Sequence, residues 1–363
     1  MPQVDFCCYA NRSGYAQAAS DYINAIKTLN RYDLKVTLFH SSPDQLALTP
    51  NSYSELVRMI RLERQSDAIQ ILHCVPGTQY RLPILDKNIG FATFETFEPP
   101  IEWTSILNAN KEVICPSAFN VKIFEKAGIT VPIRYIPHCF DENLYNMNVI
   151  PKAKVNNNFT FLFLGTWRKR KGWDILLEAW IKEFDNSDNV SLLIKTDKFT
   201  LANASIAQKK QEFGLKKDIA PILLEGRVLN DIEMPHFLKS ADCFVSPTLG
   251  EGFGIPGLQC MALGVPIIIT NFSGCTDYAN LDTATLIEPD GYQVIEDMDG
   301  IPQMRMKKWA HLSISSVRAA MRYVVENQSH VRNKAKSAAI GVKNKFSYAA
   351  IAPKFAELLD GLI

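Results

Sequence analysis

Residues 246–270, SPTLGEGFGIPGLQCMALGVPIIIT, carry the strongest fold signal in the chain. The preceding residues, 242–245, predict a short buried strand. Residues 265–270 form an almost wholly apolar run, which is typical of a parallel strand covered on both faces. A helix is predicted from about 256 to 263, because a proline suits the first helical position and a glycine the residue after the last. The order is therefore strand, glycine-rich loop, helix, strand.

The loop between the first strand and the helix surrounds one acid, Glu251, with glycines. A glycine-rich loop that leads into a helix directs backbone N–H groups and the helix dipole towards one point, which suits an anion such as a diphosphate. The simpler interpretation is that the glycines only form tight turns. The acid inside the loop, the helix start and the polar Gln259 on that helix favour a binding site.

These residues resemble the donor-site motif of retaining glycosyltransferases of the GT-B group, family 4. That motif has two glutamates separated by seven residues around Gly-Phe-Gly. Glu251 matches the first glutamate, whereas Gln259 stands where the second is expected. The resemblance implies that Glu251 binds the hydroxyls of the donor sugar and that Gln259 lies at the ribose of the nucleotide. It also implies that the donor is contacted by the residues between them, Gly252, Phe253, Gly254 and Ile255.

Length and composition set the broad class. A chain of 363 residues is expected to form two domains, and 47% hydrophobic and 21% charged residues are typical of a folded, soluble protein. No apolar stretch approaches the ~20 residues that span a bilayer. The first residues lack a basic region followed by an apolar core, so no signal peptide is expected and the cytoplasm is the predicted location.

Charge and cysteine content exclude further classes. The eight cysteines form no Cys-x-x-Cys pair, which argues for reduced thiols and against a structural zinc site. A net charge of +1 predicts no strong nucleic-acid binding and no more than peripheral membrane contact. No metal ligands are predicted.

Residues 1–150 alternate between strand and helix patterns and predict a parallel sheet with helices on both faces. The resemblance makes this a Rossmann-like acceptor domain. Ligands of such sheets bind at the carboxyl ends of the strands, where Gly14, His73 and Glu95 are predicted to lie. Gly14 is a candidate substrate contact or a plain turn residue. His73 is interpreted as a hydrogen-bonded, partly buried histidine and not as a catalyst, and Glu95 as the polar candidate on the acceptor side.

Residues 151–340 repeat the alternation and correspond to a Rossmann-like donor domain. A buried strand at 159–165 is followed by four consecutive cations, residues 168–171. Such a run is often a solvated surface patch, but this one sits at the carboxyl end of a strand. It resembles the family motif that neutralises the donor diphosphate, with Lys171 as the lysine and Arg168 as a shifted arginine. The resemblance also implies that the loop after a later strand lies near the nucleotide base, with Arg227 as the candidate contact.

The end of the chain is expected to be helical. Residues 284–287 are predicted as the last strand. Residues 341–363 contain apolar positions at helical spacing. The GT-B resemblance implies that this helix returns to the first domain, and a dimer seam is the alternative.

The sequence thus predicts an α/β protein with two doubly wound parallel sheets facing a cleft. The resemblance implies a metal-independent, retaining transfer from a nucleotide diphosphate sugar, without a cofactor, to a saccharide, lipid-linked or protein acceptor. In this interpretation Glu251, Lys171 and Arg168 are the catalytic candidates. Two other functions remain open: a non-catalytic sugar-nucleotide-binding protein, and a nucleic-acid-modifying glycosyltransferase.

Overall fold

The computed structural model describes residues 1–39, 48–79, 86–154, 156–213 and 218–363. The chain divides into two compact units. The first comprises Met1–Leu144, Leu229–Ile232 and Lys343–Ile363, and the second Tyr145–Val228 and Glu233–Val342. Each unit is built around one sheet of six parallel strands.

The first unit has the strand order β2-β1-β3-β4-β5-β6. The strands Gln3–Cys8, Ile69–His73 and Asn88–Phe91 inside this sheet are completely buried, because helices cover both faces of the sheet. The elements are β1 (Gln3–Cys8), α1 (Gly14–Lys27), β2 (Asp33–Leu38), α2 (Pro50–Arg61), β3 (Ile69–His73), α3 (Pro76–Gln79), β4 (Asn88–Phe91), α4 (Glu102–Asn108), β5 (Glu112–Cys115), α5 (Ala118–Lys126) and β6 (Ile133–Tyr135).

The last helix of the chain, α12 (Tyr348–Asp360), also belongs to the first unit and packs on α1. The ring of Phe355 lies 5.0 Å from that of Tyr22, centroid to centroid. The Tyr348 hydroxyl donates a 2.7 Å hydrogen bond to the buried Asp21 carboxylate. The predicted return of the C-terminal helix to the first domain is confirmed, and its apolar face is buried here.

The second unit has the strand order β12-β11-β10-β7-β8-β9. Its elements are β7 (Phe159–Leu164), α6 (Trp173–Glu183), β8 (Val190–Lys195), α7 (Phe199–Glu212), β9 (Ile222–Glu225), α8 (Glu233–Lys239), β10 (Cys243–Ser246), α9 (Ile255–Ala262), β11 (Ile267–Thr270), β12 (Thr285–Ile287), β13 (Gly291–Ile295), β14 (Lys307–His311) and α10 (Ile314–Glu326). The long helix α11 (Gln328–Phe346) then leads to α12.

The prediction that residues 284–287 form the last strand is wrong. After β12 the chain forms a separate antiparallel pair, β13 with β14. Most of β13 is exposed, and β14 buries only Trp309 and Ala310. Because the pair buries so few side chains, its sequence lacks the apolar alternation that would have predicted it.

The strand order places β10 between β7 and β11. Because the three strands are parallel, the loops that follow them meet at the same edge of the sheet. These loops contain the cations, the glycine-rich segment and a short turn after β11. Among the described residues, no helix is long and apolar enough to cross a membrane.

Candidate functional site

Two glycines allow the three loops to approach each other closely. A Cβ atom added to Gly172, which has a φ of +70°, would lie 1.9 Å from the carbonyl oxygen of Pro247. A Cβ added to Gly274 would lie 2.0 Å from the carbonyl oxygen of Gly252. The loops after β7 and β11 therefore both touch the backbone of the loop after β10, and no larger residue fits at either glycine.

Glu251 lies at the centre of this arrangement, with only 8% of its surface exposed. Its Oε1 atom is 2.5 Å from Nζ of Lys171, and its Oε2 atom accepts a 3.1 Å hydrogen bond from Nη1 of Arg170. The backbone N–H of Glu251 donates to Ser273 Oγ, and its carbonyl accepts from the N–H of Gly274. Both the main chain and the side chain of Glu251 are thus fixed by neighbouring loops.

The protonation state of Glu251 follows from these contacts. Burial opposes the charged form of the carboxyl group, but the charges of Lys171 and Arg170 outweigh it and lower the pKa of Glu251. The carboxylate is therefore an ionised hydrogen-bond acceptor near neutral pH. A carboxylate in this state can bind hydroxyl groups, which are the polar groups of a sugar.

Residues 168–171, which we call the cationic turn, do not share one environment. Lys169–Lys171 form a short 3-10 helix. Arg170 is buried and also donates a 2.7 Å hydrogen bond to the carbonyl of Gly250. Lys169 is exposed, whereas Arg168 is half-buried and its guanidinium forms no hydrogen bond or ion pair with the described residues. The solvated-patch interpretation thus fits only Lys169.

The glycine-rich segment ends in a tight turn at the start of α9. Gly254 has a φ of +90° and occupies the N-cap position, and Ile255 begins the helix. The Tyr278 hydroxyl donates a 2.7 Å hydrogen bond to the carbonyl of Gly254. Phe253 is buried beside the Tyr278 ring, and Gln259 is buried on α9. These predicted contact residues therefore belong to the same loop and helix as Glu251.

Arg227 does not join this cluster. It is exposed in the loop after β9, and its guanidinium donates hydrogen bonds to both carboxylate oxygens of Glu225. That pairing lowers the pKa of Glu225 to about 2. Strand β9 lies at the edge of the sheet, and β8 separates it from β7.

Gly14 and Glu95 belong to the first unit. Gly14 is exposed at the first position of α1, and a Cβ placed there would meet nothing within 4 Å. Glu95 is half-buried in the loop after β4. Burial raises the pKa of Tyr15 well above its ordinary value, and the nearby charge of Glu95 adds to this effect. Tyr15 and Glu95 therefore face the same small region of the first unit.

His73 was predicted to be partly buried, but the structure encloses it completely. Its ring lies 4.0 Å from that of Phe91 and is also close to the rings of Phe6 and Tyr22. Burial lowers the pKa of His73 to about 3. Neither ring nitrogen has a hydrogen-bond partner among the described residues, so the prediction of a hydrogen-bonded histidine is wrong and His73 is a neutral core residue.

Sequence reasoning missed Arg170 and Asp299. The available signal for Asp299 was the triplet Asp297-Met298-Asp299, a spacing that can hold a divalent ion. In the structure, Asp299 accepts hydrogen bonds from the backbone N–H groups of Lys169 and Arg170, and Asp297 accepts one from Gly300. Among the described ranges, no group of three or more His, Cys, Asp or Glu side chains is placed to share a metal ion.

The sequence match to known proteins includes the loops that form this site. Residues 158–298 match the family model of glycosyl transferases group 1. An uncharacterised glycosyltransferase of Methanocaldococcus jannaschii is 29% identical over 149 residues, 39% of either chain. The lipopolysaccharide core biosynthesis mannosyltransferase LpsB of Rhizobium meliloti is 31% identical over 104 residues, 26% of this chain and 30% of LpsB. The matched part thus spans well under half of these curated relatives.

Solved structures resemble nearly the whole chain. The Anabaena protein HepE, in complex with UDP and glucose, aligns with a TM-score of 0.72 and 15% identity over 99% of this chain and 100% of HepE. Sucrose-phosphate synthase from Thermosynechococcus elongatus aligns with a TM-score of 0.71 and 14% identity, over 100% of this chain and 99% of that one. Identity at this level establishes the fold only. Residues 158–298 therefore carry the sequence pattern of the group 1 glycosyltransferases, on a chain with the GT-B fold.

Proposed function

We propose that this protein transfers a sugar from a nucleotide diphosphate sugar to an acceptor, with retention of the anomeric configuration. The observation that carries the proposal is the buried Glu251 carboxylate, held by Lys171 and Arg170 beside a glycine-rich turn at the carboxyl ends of β7 and β10. All of these residues lie inside the segment that matches the family model.

The donor diphosphate is assigned to Lys171 and Arg168. A departing nucleoside diphosphate carries about two to three negative charges, and charge-assisted hydrogen bonds stabilise that charge as it develops. Arg168 is half-buried and its guanidinium has no partner among the described residues, so it can meet an anion without breaking an existing bond. Lys171 can leave Glu251 for a phosphate while Arg170 continues to hold the carboxylate.

Glu251 is assigned to the hydroxyls of the donor sugar. Its backbone is fixed by Ser273 and Gly274, so the carboxylate is pre-organised before the sugar arrives. In the proposed reaction the bond between the anomeric carbon and the phosphate oxygen breaks. The acceptor hydroxyl forms the new bond on the same face, and its proton passes to the departing phosphate. No cofactor and no metal ion take part in this scheme.

The acceptor is assigned to the first unit, near Gly14 and Glu95. The cytoplasm is the proposed location. Gln259 is assigned to the ribose, where an amide offers one acceptor oxygen and one donor group in place of a carboxylate.

The test is a panel of UDP-, GDP- and ADP-linked sugars, with thermal stabilisation as the first readout. The donor that stabilises the protein is then used to measure hydrolysis and transfer, and NMR of the product reports its anomeric configuration. Activity that survives EDTA supports metal independence. Binding without turnover would favour a non-catalytic sugar-nucleotide-binding protein, and stabilisation by none of the donors would overturn the proposal.

A further inference from the structure

We propose that Asp299 is a positioning residue, which fixes the cationic turn from the connection between β13 and β14. This inference rests on the proposed donor site but concerns a residue outside it. Within the described part of the chain, the Asp299 carboxylate forms hydrogen bonds only with backbone groups of the turn, so its effect on a bound donor would be indirect.

The contacts come from the start of the 3-10 helix. The N–H of Lys169 donates to Asp299 Oδ1 at 2.6 Å, and the N–H of Arg170 donates to Oδ2 at 3.3 Å. The first N–H groups of a helix have no partner within the helix and need an outside acceptor. The Asp299 carboxylate is the acceptor for both N–H groups, although it lies 129 to 130 positions further along the chain.

The position of this carboxylate is set by the core of the second unit. Met298, directly before Asp299, is 1% exposed, and Met304 at the other end of the connection is also buried in the core cluster. Asp299 has a φ of +60°, which Asp tolerates better than most residues with a side chain. The connection is therefore anchored on both sides of Asp299 and can serve as a fixed support.

The cationic turn is held from two directions as a result. On one side Asp299 accepts from its first N–H groups, and on the other the carbonyl of Arg170 accepts from the N–H of Leu249 in the glycine-rich loop. Lys171 and Arg170 reach Glu251 from this turn. A displacement of about 1 Å is enough to impair a pre-organised site, so loss of the Asp299 contacts would weaken diphosphate binding without removing any cation.

The experiment compares Asp299→Gly, Asp299→Asn and the control Asp297→Asn in the full chain. Glycine adopts the positive φ without strain and removes both hydrogen bonds. The variant therefore tests the loss of the Asp299 side chain without adding backbone strain. Asp297→Asn removes the same charge from the same connection, two residues away, without touching the turn. Hydrogen–deuterium exchange measures how well the backbone amides of residues 169–171 are protected. Calorimetry measures the affinity for inorganic pyrophosphate and for UDP. Thermal unfolding shows whether each variant is folded.

For Asp299→Gly we expect faster exchange in the cationic turn and about tenfold weaker binding of pyrophosphate and UDP. Asp299→Asn, which keeps one acceptor oxygen, should lie between this variant and the wild type, and Asp297→Asn should match the wild type. An unchanged exchange rate of the cationic turn in Asp299→Gly would overturn the contact between Asp299 and the turn. Faster exchange with unchanged affinity for pyrophosphate and UDP would overturn the positioning role.

The proposed function fails in a different way. If the wild-type protein itself binds neither pyrophosphate nor UDP, GDP or ADP, the donor site is wrong, and the positioning role is overturned with it. The exchange measurement would still decide whether Asp299 holds the turn.

Discussion

Nζ of Lys171 lies 2.5 Å from Oε1 of Glu251, although 80 positions separate the two residues in the chain. The pair joins the loop after β7 to the loop after β10, and Arg170 binds the other carboxylate oxygen. The anionic and the cationic parts of the candidate donor site therefore hold each other in place before any ligand is bound.

Replacing Lys171 tests the assignment of the leaving group. For Lys171→Met we expect sugar transfer to fall by about 10²–10³-fold, because the charge on the departing diphosphate loses its main partner. Steady-state kinetics with the nucleotide sugar that stabilises the wild-type protein measures the effect. Lys169→Met is the matched control, since Lys169 is exposed and its side chain has no partner among the described residues. Equal losses in both variants would contradict a specific role for Lys171.

Arg170 is expected to contribute to stability, and Arg168 to donor binding. Arg170→Met removes hydrogen bonds to Glu251 and to the Gly250 carbonyl, so the free energy of unfolding should fall by about 1–3 kcal/mol. Arg168→Met should change stability by less than about 0.5 kcal/mol but weaken donor binding. Denaturant unfolding and donor titration of both variants check this. A destabilised Arg168→Met with normal donor affinity would refute the division of roles.

Gly172 should tolerate no side chain. For Gly172→Ala we expect a loss of at least about 2 kcal/mol, because the positive φ is strained and the Cβ would meet the Pro247 carbonyl oxygen at 1.9 Å. Gly341→Ala is the control, since Gly341 lies within α11 and a Cβ there meets nothing within 4 Å. It should stabilise the protein by about 0.5–1 kcal/mol. Similar midpoints for the two variants in denaturant would count against the close loop contact.

Asp21 predicts a pH dependence of stability in the first unit. Burial raises the pKa of Asp21 from 3.8 to about 7, despite hydrogen bonds from Tyr348 and Gln17. The folded state therefore holds this proton more tightly than the unfolded state. The resulting stabilisation is complete below pH 3.8 and is lost as the pH rises through about 7.

The variant Asp21→Asn stays neutral and should remove this dependence. We expect it to be more stable than the wild type at pH 8, with a flatter profile between about pH 5 and 8. Asp67→Asn, at an exposed position, should keep the wild-type profile. Thermal unfolding across this range measures both, and a wild-type profile in Asp21→Asn would show that Asp21 is not the titrating group.

Gln259 tests how the donor-site motif departs from its usual form. If Gln259 meets the ribose, Gln259→Glu should strengthen nucleotide binding, because a carboxylate accepts from both ribose hydroxyls. Calorimetry measures the affinity of the wild type and of Gln259→Glu for UDP. Unchanged affinity would argue against a ribose contact at this position.

The amino-acid sequence was enough to predict the two parallel sheets and the glycine-rich loop, and to select Glu251 and Lys171 as site candidates. These depend on local patterns: apolar strands, helix ends, and loops that follow parallel strands to a common edge. Which cations reach Glu251 depends on how the loops pack: Arg170 binds this carboxylate, whereas Arg227 pairs with Glu225. The tertiary structure also revealed β13, β14 and the support from Asp299. The contacts of Arg170 with Glu251 and of Lys169 with Asp299 join residues 81 and 130 positions apart, and such partners follow from how the loops pack, which no local propensity encodes.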